Sequence, residues 1–301
     1  MPIREGIMDL MKIVGPAHYL PGRVNIGVIT GEGRAALIDT GLDEGAARRA
    51  LQAIEQAGLR LEAIINTHAH ADHCGGNAFV RKRTGVPIYA PPVEAAFIQH
   101  TELEPFYLFG AAPFKAIDSK WFHAAPTPVD HLLDARLTLC GVSLEVLPVP
   151  GHSINQVAMA TDEVAYLADA LMAPDLLERY PIQYHYDVLA HRATLDRLAT
   201  LRKDWYVGAH FPPTDDLGPL IEANRANLDR TAGAVLEALA PAAGTEEAVR
   251  AVADALGVPP MDPAAYLLNA AAIKAHLSAH VREDRVAFEI LDQRPIWRRR
   301  K

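Results

Sequence analysis

Apolar positions along the first 215 residues come in short runs separated by polar turns, with stretches of helical period between them. Residues 24–30 and 35–39 are apolar runs joined by Gly31-Glu32-Gly33, which predicts a β-hairpin. From Asp43 to Gly58 the period changes, because Ala46, Ala50, Leu51 and Ile54 recur at helical spacing and Gly58 supplies a stop. Residues 61–66 read as a strand, 76–83 as a short helix and 86–90 as another strand. Further on, 137–150 reads as two strands turning at Gly141, 164–168 as a strand, 190–202 as a helix and 205–208 as a last short strand. This interleaving predicts an α/β fold.

Residues 92–130 break the rhythm. Phe97, Phe106, Tyr107, Phe109, Phe114, Trp121 and Phe122 share a stretch with several prolines and no clean period. Such a segment reads either as irregular helices over the core or as a lid that lines an apolar substrate pocket. After Pro212-Pro213 the composition turns Ala-rich, with helices expected over 217–239, 246–256 and 263–281 and a strand pair over 286–290 and 295–297. Three helices followed by a hairpin is the order of a winged-helix-like module, so a catalytic domain over 1–215 and a helical domain over 216–301 are expected.

Half of the 301 residues are apolar and 22% are charged, enough to bury a sizeable core. Lys plus Arg number 29 against 37 Asp plus Glu, a net charge of −8, which is the wrong sign for general affinity toward phosphate backbones. No apolar run approaches the ~20 residues that span a bilayer. The start, Met1-Pro2-Ile3-Arg4-Glu5, lacks the features of a signal peptide, so a soluble cytoplasmic protein is expected. Two cysteines, Cys74 and Cys140, cannot build a disulfide scaffold or a Cys-rich zinc site. Both read as packed small side chains, Cys140 within an apolar strand.

Histidine carries the chemistry. There are 13, and three stand in Thr67-His68-Ala69-His70-Ala71-Asp72-His73-Cys74-Gly75-Gly76. At a strand end, residues two apart point the same way, so His68 and His70 can converge on one cation. Asp72 and His73 lie further along the loop and can face a second. Imidazole and carboxylate suit Zn²⁺, and they also accommodate Mn²⁺ or Fe²⁺. Gly75-Gly76 is expected to let the chain turn tightly into the next helix. Four donors are too few for two tetrahedral ions with open positions. More are expected at later strand ends, where His152, Asp169 and His210 stand.

In this order, Asp39, His68-x-His70-x-Asp72-His73, His152, Asp169 and His210 resemble the metallo-β-lactamase superfamily over about residues 10–212, in its dinuclear, glyoxalase II-like hydrolase branch. The resemblance implies a four-layer αβ/βα sandwich with a metal site at one edge of the paired sheets. It implies that His68, His70 and His152 hold one metal, that Asp72, His73 and His210 hold the other, and that Asp169 bridges them. Asp39 would orient a ligand by hydrogen bonding. Such a metal pair shares a water and makes hydroxide available at neutral pH for attack on a carbonyl or phosphoryl centre. Asp72 would accept a proton, and Tyr184 or Tyr186 would stabilise the oxyanion or protonate the leaving group.

His70 stands where the flavodiiron branch carries Glu, which argues against oxygen reduction. A bridging Asp169 argues against true β-lactamase activity. The aromatic insertion suits an apolar acyl or ring system, so a small ester, thioester or lactone is the expected substrate. One alternative is a metal-dependent endoribonuclease that grips RNA with the C-terminal module, since the chain ends Arg298-Arg299-Arg300-Lys301. The charge of −8 weighs against it, and four terminal charges read more simply as a solvated tail. Another is a mononuclear iron persulfide dioxygenase, which shares most of the motif. The helical tail is expected to pack over the active site or to form a homodimer contact.

Overall fold

A computed structural model describes residues 9–118 and 120–300. The pentapeptide read above for a leader, and Lys301, lie outside them. The elements run β1 (Met11–Val14), β2 (Ala17–Leu20), β3 (Ile26–Gly31), β4 (Arg34–Ile38), α1 (Glu44–Gln56), β5 (Arg60–Ile65), α2 (Ala71–Cys74), α3 (Asn77–Thr84) and β6 (Ile88–Ala90). Then come α4 (Pro92–Gln99), α5 (Leu103–Phe109), β7 (His131–Leu132), β8 (Arg136–Leu139), β9 (Val142–Pro148), β10 (Val157–Ala160) and β11 (Val164–Ala168). The last are α6 (Pro174–Arg179), α7 (Val188–Thr200), β12 (Trp205–Gly208), α8 (Gly218–Ala238), α9 (Thr245–Ala255), α10 (Pro263–Arg282), β13 (Val286–Leu291) and β14 (Arg294–Arg299). They divide into two compact units: residues 9–149, 155–169 and 201–216, and residues 150–154, 170–200 and 217–300.

In the first unit a seven-stranded sheet runs β1-β2-β3-β4-β5-β6-β7, and a five-stranded sheet runs β12-β11-β10-β9-β8. Both faces of the larger sheet are covered, so the inner stretches of its central strands, Ala35–Ile38 and Ala63–Ile65, are apolar at every position instead of alternating. In β4, Ala35 and Leu37 face a core shared with Ala47, Leu51 and Ile54 of α1 and Val80 of α3. The intervening Ala36 and Ile38 face a second core, shared with Leu144, Met159, Tyr166 and Val207 of the other sheet. Asp43 caps α1, its carboxylate accepting from Ala46 N at 3.2 Å. The buried stripe Ala47, Ala50, Leu51, Ile54 then holds the helix on the sheet, each large side chain contributing roughly 1.5–3 kcal/mol. Glu32 and Gly33 turn the β3–β4 hairpin with φ of 52° and 70°, the left-handed pair a two-residue loop needs.

Four strands escaped the sequence pattern, among them the two-residue β7. β1 is only four residues long and half exposed, while β2 and β10 are short and carry alanines that give little β signal. Cys140 is buried, but at the β8–β9 turn with φ 54° and not within a strand. In the stretch 92–130, Phe106, Tyr107 and Phe109 of α5 and Phe114 and Trp121 beyond it stand exposed, and Phe122 is packed away.

The second unit has its own core, in which Val235, Val249, Val252, Ile273 and Leu277 surround Ile182. Residues 170–200 are tied into it by polar bonds as well. Asn224 donates to Met172 O at 2.9 Å, and Asn227 donates to Pro181 O at 3.0 Å. Helices α8, α9 and α10 precede the β13–β14 hairpin. Arg298 and Arg299, read above as part of a solvated tail, pair with Ala287 and Val286 inside that hairpin, and Arg300 N donates to Arg285 O at 2.8 Å. No helix among the described residues is long and apolar enough to cross a membrane.

Candidate metal centre

Two pairs of parallel strands bring the sequence-predicted residues of the first unit to one edge. β4 and β5 are parallel neighbours, so Asp39 and the Thr67–His73 loop leave the larger sheet side by side. β11 and β12 are parallel neighbours in the other sheet, and Asp169 and His210 follow their ends. Val157 N donates to Thr67 O at 3.1 Å, which links the two sheets at this edge. Asp39 (φ 66°) and Ala168 (φ 49°) both adopt the left-handed region, a cost of about 1–3 kcal/mol each that turns the chain sharply at the strand ends.

Asp39 is buried and fully engaged. Its Oδ1 accepts from Thr67 N at 2.9 Å, and its Oδ2 accepts from Thr67 Oγ1 at 2.7 Å and from His73 Nδ1 at 2.7 Å. With the Nδ1 proton committed to Asp39, the Nε2 lone pair of His73 points away from it. Thr67 extends this order to the neighbouring imidazole: its hydroxyl proton goes to Asp39, leaving the oxygen, 3.1 Å from His68 Nδ1, to accept. His68 Nε2 then lies 3.1 Å from His70 Nδ1. Thr67 is the residue that sequence reasoning passed over, although its place immediately before His68 at a strand end was the available signal.

Donor atoms converge beyond this scaffold. His68, His73 and Asp169 offer atoms within 4.8 Å of one another, and so do Asp72, His73 and His210. Asp169 faces two ways, with Oδ1 3.2 Å from His73 Nε2 and Oδ2 3.4 Å from His210 Nε2. Asp72 lies at 3.9 Å from His73 Nε2 and 3.8 Å from His210 Nε2. The buried His73 Nε2 makes no hydrogen bond among the described residues. Burial opposes a proton on His73, yet Asp169, Asp39 and Asp72 outweigh it and hold its pKa well above the ordinary value. His210 is raised in the same way, burial being outweighed by Asp169 and Asp72. Burial alone would raise Asp169, but His73 and His210 hold it well below the usual carboxylate range. The pocket therefore demands positive charge at its centre, which protons or divalent cations can supply.

The remaining predicted residues lie in the second unit or beside the cluster. His152, in the 150–154 segment, has its Nδ1 3.2 Å from Tyr184 O, and its ring stands edge-to-face with the Tyr184 ring, centroids 6.0 Å apart. The Tyr184 side chain is half-buried and Tyr186 is exposed. Cys74 belongs to neither ligand group above; its thiol donates to Ala69 O at 3.2 Å, and burial followed by nearby carboxylates pushes its pKa well up.

The sequence profile of the metallo-beta-lactamase superfamily matches residues 19–210, which is most of the chain. The chain belongs to that superfamily. This metallo-β-lactamase-fold protein is 30% identical to "Hydroxyacylglutathione hydrolase GloC" of Haemophilus influenzae over 143 residues, 46% of this chain and 62% of that protein. It thus spans less than two thirds of that relative's length. Solved structures repeat the fold along nearly the whole chain. A beta-lactamase domain protein from Burkholderia ambifaria has a TM-score of 0.74 at 17% identity, covering 97% of this chain and 94% of that one. A metallo-beta-lactamase family protein from Thermus thermophilus has a TM-score of 0.70 at 22% identity, covering 98% of each.

Within the superfamily framework Gly75 and Gly76 have a different role from the one expected. Their φ values, −62° and −85°, are ordinary helical values. What they provide is room, since a Cβ on Gly75 would lie 1.9 Å from Leu42 O and one on Gly76 2.6 Å from Thr40 O. The short helices after the histidine loop can therefore press against the segment that carries Asp39.

Proposed function

We propose that this protein is a hydrolase that holds two divalent cations, zinc in the first instance, and cleaves a small thioester, ester or lactone. The observation that carries the reading is Asp169, a buried carboxylate whose two oxygens face His73 and His210 separately. On the family pattern, His68, His70 and His152 hold one cation, Asp72, His73 and His210 hold the other, and Asp169 is shared. Such a pair, when bound, supplies a hydroxide nucleophile at neutral pH and positive charge for a developing oxyanion.

The chain's own residues supply orientation and proton handling. Asp39 fixes the His73 tautomer and, through Thr67, that of His68. Asp72 is the most open carboxylate of the set, with 28% of its side chain exposed against 4% for Asp169, which suits it to take a proton that must later leave. Tyr184 is assigned the phenol that serves the leaving group. A thioester is preferred because the relative named above is called a hydroxyacylglutathione hydrolase, and an acyl–glutathione bond is a thioester.

Elemental analysis of the purified protein, followed by turnover of acyl thioesters, aryl esters and lactones, tests this. The expected result is about two zinc-class ions per chain, hydrolysis abolished by chelator, and a loss of about 10²-fold or more in His70→Ala and Asp169→Ala. A single iron per chain would overturn the hydrolytic reading in favour of sulfur oxidation. Two metals with no turnover across the panel would remove the substrate class.

A further inference from the structure

The larger sheet and its partner approach each other where the histidine loop begins, and the ladder between them stops after one bond. Val157 N donates to Thr67 O, but two residues further along each segment the pairing is replaced. Ala69 N and Asn155 N both donate to one carboxylate instead, that of Glu94 on α4: Ala69 to Oε2 at 3.0 Å and Asn155 to Oε1 at 2.8 Å. Glu94 is 3% exposed, in the first turn of a helix whose Ala95 and Ile98 pack against Ala69, Ala71 and Cys74. A buried carboxylate on a largely apolar helix is costly to keep unless its oxygens are satisfied, and here each oxygen takes a main-chain N–H.

What these two amides have in common is their position. Ala69 lies between His68 and His70, and Asn155 lies three residues after His152. The base of that second loop is closed by Val149 N donating to Gln156 O at 2.9 Å. We propose that Glu94 is a positioning residue that clamps the His68–His70 loop to the chain entering β10 at Asn155, fixing the main chain from which His68 and His70 present their rings to the first cation. A helix side chain does this better than direct strand pairing. Continued pairing would bring the two backbones to the ladder distance of ~5 Å, whereas a carboxylate between two N–H donors holds them apart by its own width. The inference rests on the reading that these histidines hold a metal.

The test uses full-length protein and zinc alone. Zinc affinity is measured against a chromophoric chelator for wild type, Glu94→Gln, Glu94→Asp and Ile98→Val, alongside far-UV circular dichroism and amide hydrogen exchange at Ala69 and Asn155. In Glu94→Gln the side-chain amide presents N–H to one of the two main-chain donors, so one bond is lost in a nearly isosteric side chain. The expected result is zinc binding weakened about 10–100-fold, with faster exchange at both amides and an unchanged circular dichroism spectrum. Glu94→Asp should recover part of the affinity. Ile98→Val, which loosens the same helix without touching either amide, should lower stability and leave zinc affinity alone. Equal zinc affinity in wild type and Glu94→Gln would overturn the clamp while leaving the metal reading intact. Wild-type protein that takes up no zinc would overturn both.

Discussion

Asp39 shows how far one buried side chain can govern a site. Three hydrogen bonds converge on it, two from Thr67 and one from His73. Replacing it with Asn keeps the volume and tolerates φ 66°, but an amide cannot accept three donors with two oxygens' worth of charge. Asp39→Asn is expected to weaken metal binding by about 10–100-fold with the fold retained, as read by chelator competition. An unchanged affinity would show that Thr67 and His73 find their orientation elsewhere. Much of this was legible in the chain, because His-x-His-x-Asp-His has a ligand spacing and Asp39, Asp169 and His210 each follow an apolar run. Glu94 was not legible. Its function depends on two main-chain amides far from it in sequence, and residue type and local period carry no trace of that.

The elements were readable where they bury one face or form a long apolar run bounded by turn residues. The stripe on α1 and the hairpin turn at Glu32-Gly33 were plain from pattern, since each has a local physical cause. The β10 segment, Val157-Ala158-Met159-Ala160, was not, because four residues of which two are alanine have neither alternation nor strong β propensity. Gly75 was located correctly and explained wrongly: the demand comes from Leu42 O across a helix–loop contact, not from an unusual φ. Gly75→Ala should therefore destabilise the protein by about 1–3 kcal/mol through overpacking, seen as a lower urea midpoint. An unmoved midpoint would mean that α2 can draw back from Leu42 at little cost.

At the scale of the whole molecule, the second unit stores an acid sensitivity. His191 and His276 are both buried there, and burial pushes their pKa values from 6.5 down to about 4 and about 3 respectively. The core admits only the neutral rings, while the unfolded chain protonates them. Their contribution to stability is complete above pH 6.5 and is lost as pH falls toward those lower values. The slope is about 1.4 kcal/mol per pH unit for each proton. His276 makes no hydrogen bond among the described residues through its buried Nδ1, so His276→Leu gives up no such partner there. That variant should lose stability less steeply than wild type between pH 6.5 and 4 in denaturant titrations. Parallel curves would assign the acid lability to other groups.

The path of the chain between the two units has a consequence for biosynthesis. Residues 150–154 and 170–200 are grouped with 217–300, although the first unit's strands β10, β11 and β12 are interleaved among them in sequence. A ribosome that has emitted 216 residues has therefore delivered every strand of the first unit, yet the helices that make the core around Ile182 are still to come. At roughly 5–20 residues per second, the remaining stretch takes several seconds. For that time α6, α7 and the His152 segment have no finished core to join. A stop codon after residue 216 would make the interval permanent, so shortening the gene there would strand part of the first unit's own neighbouring sequence and not simply remove an appendage.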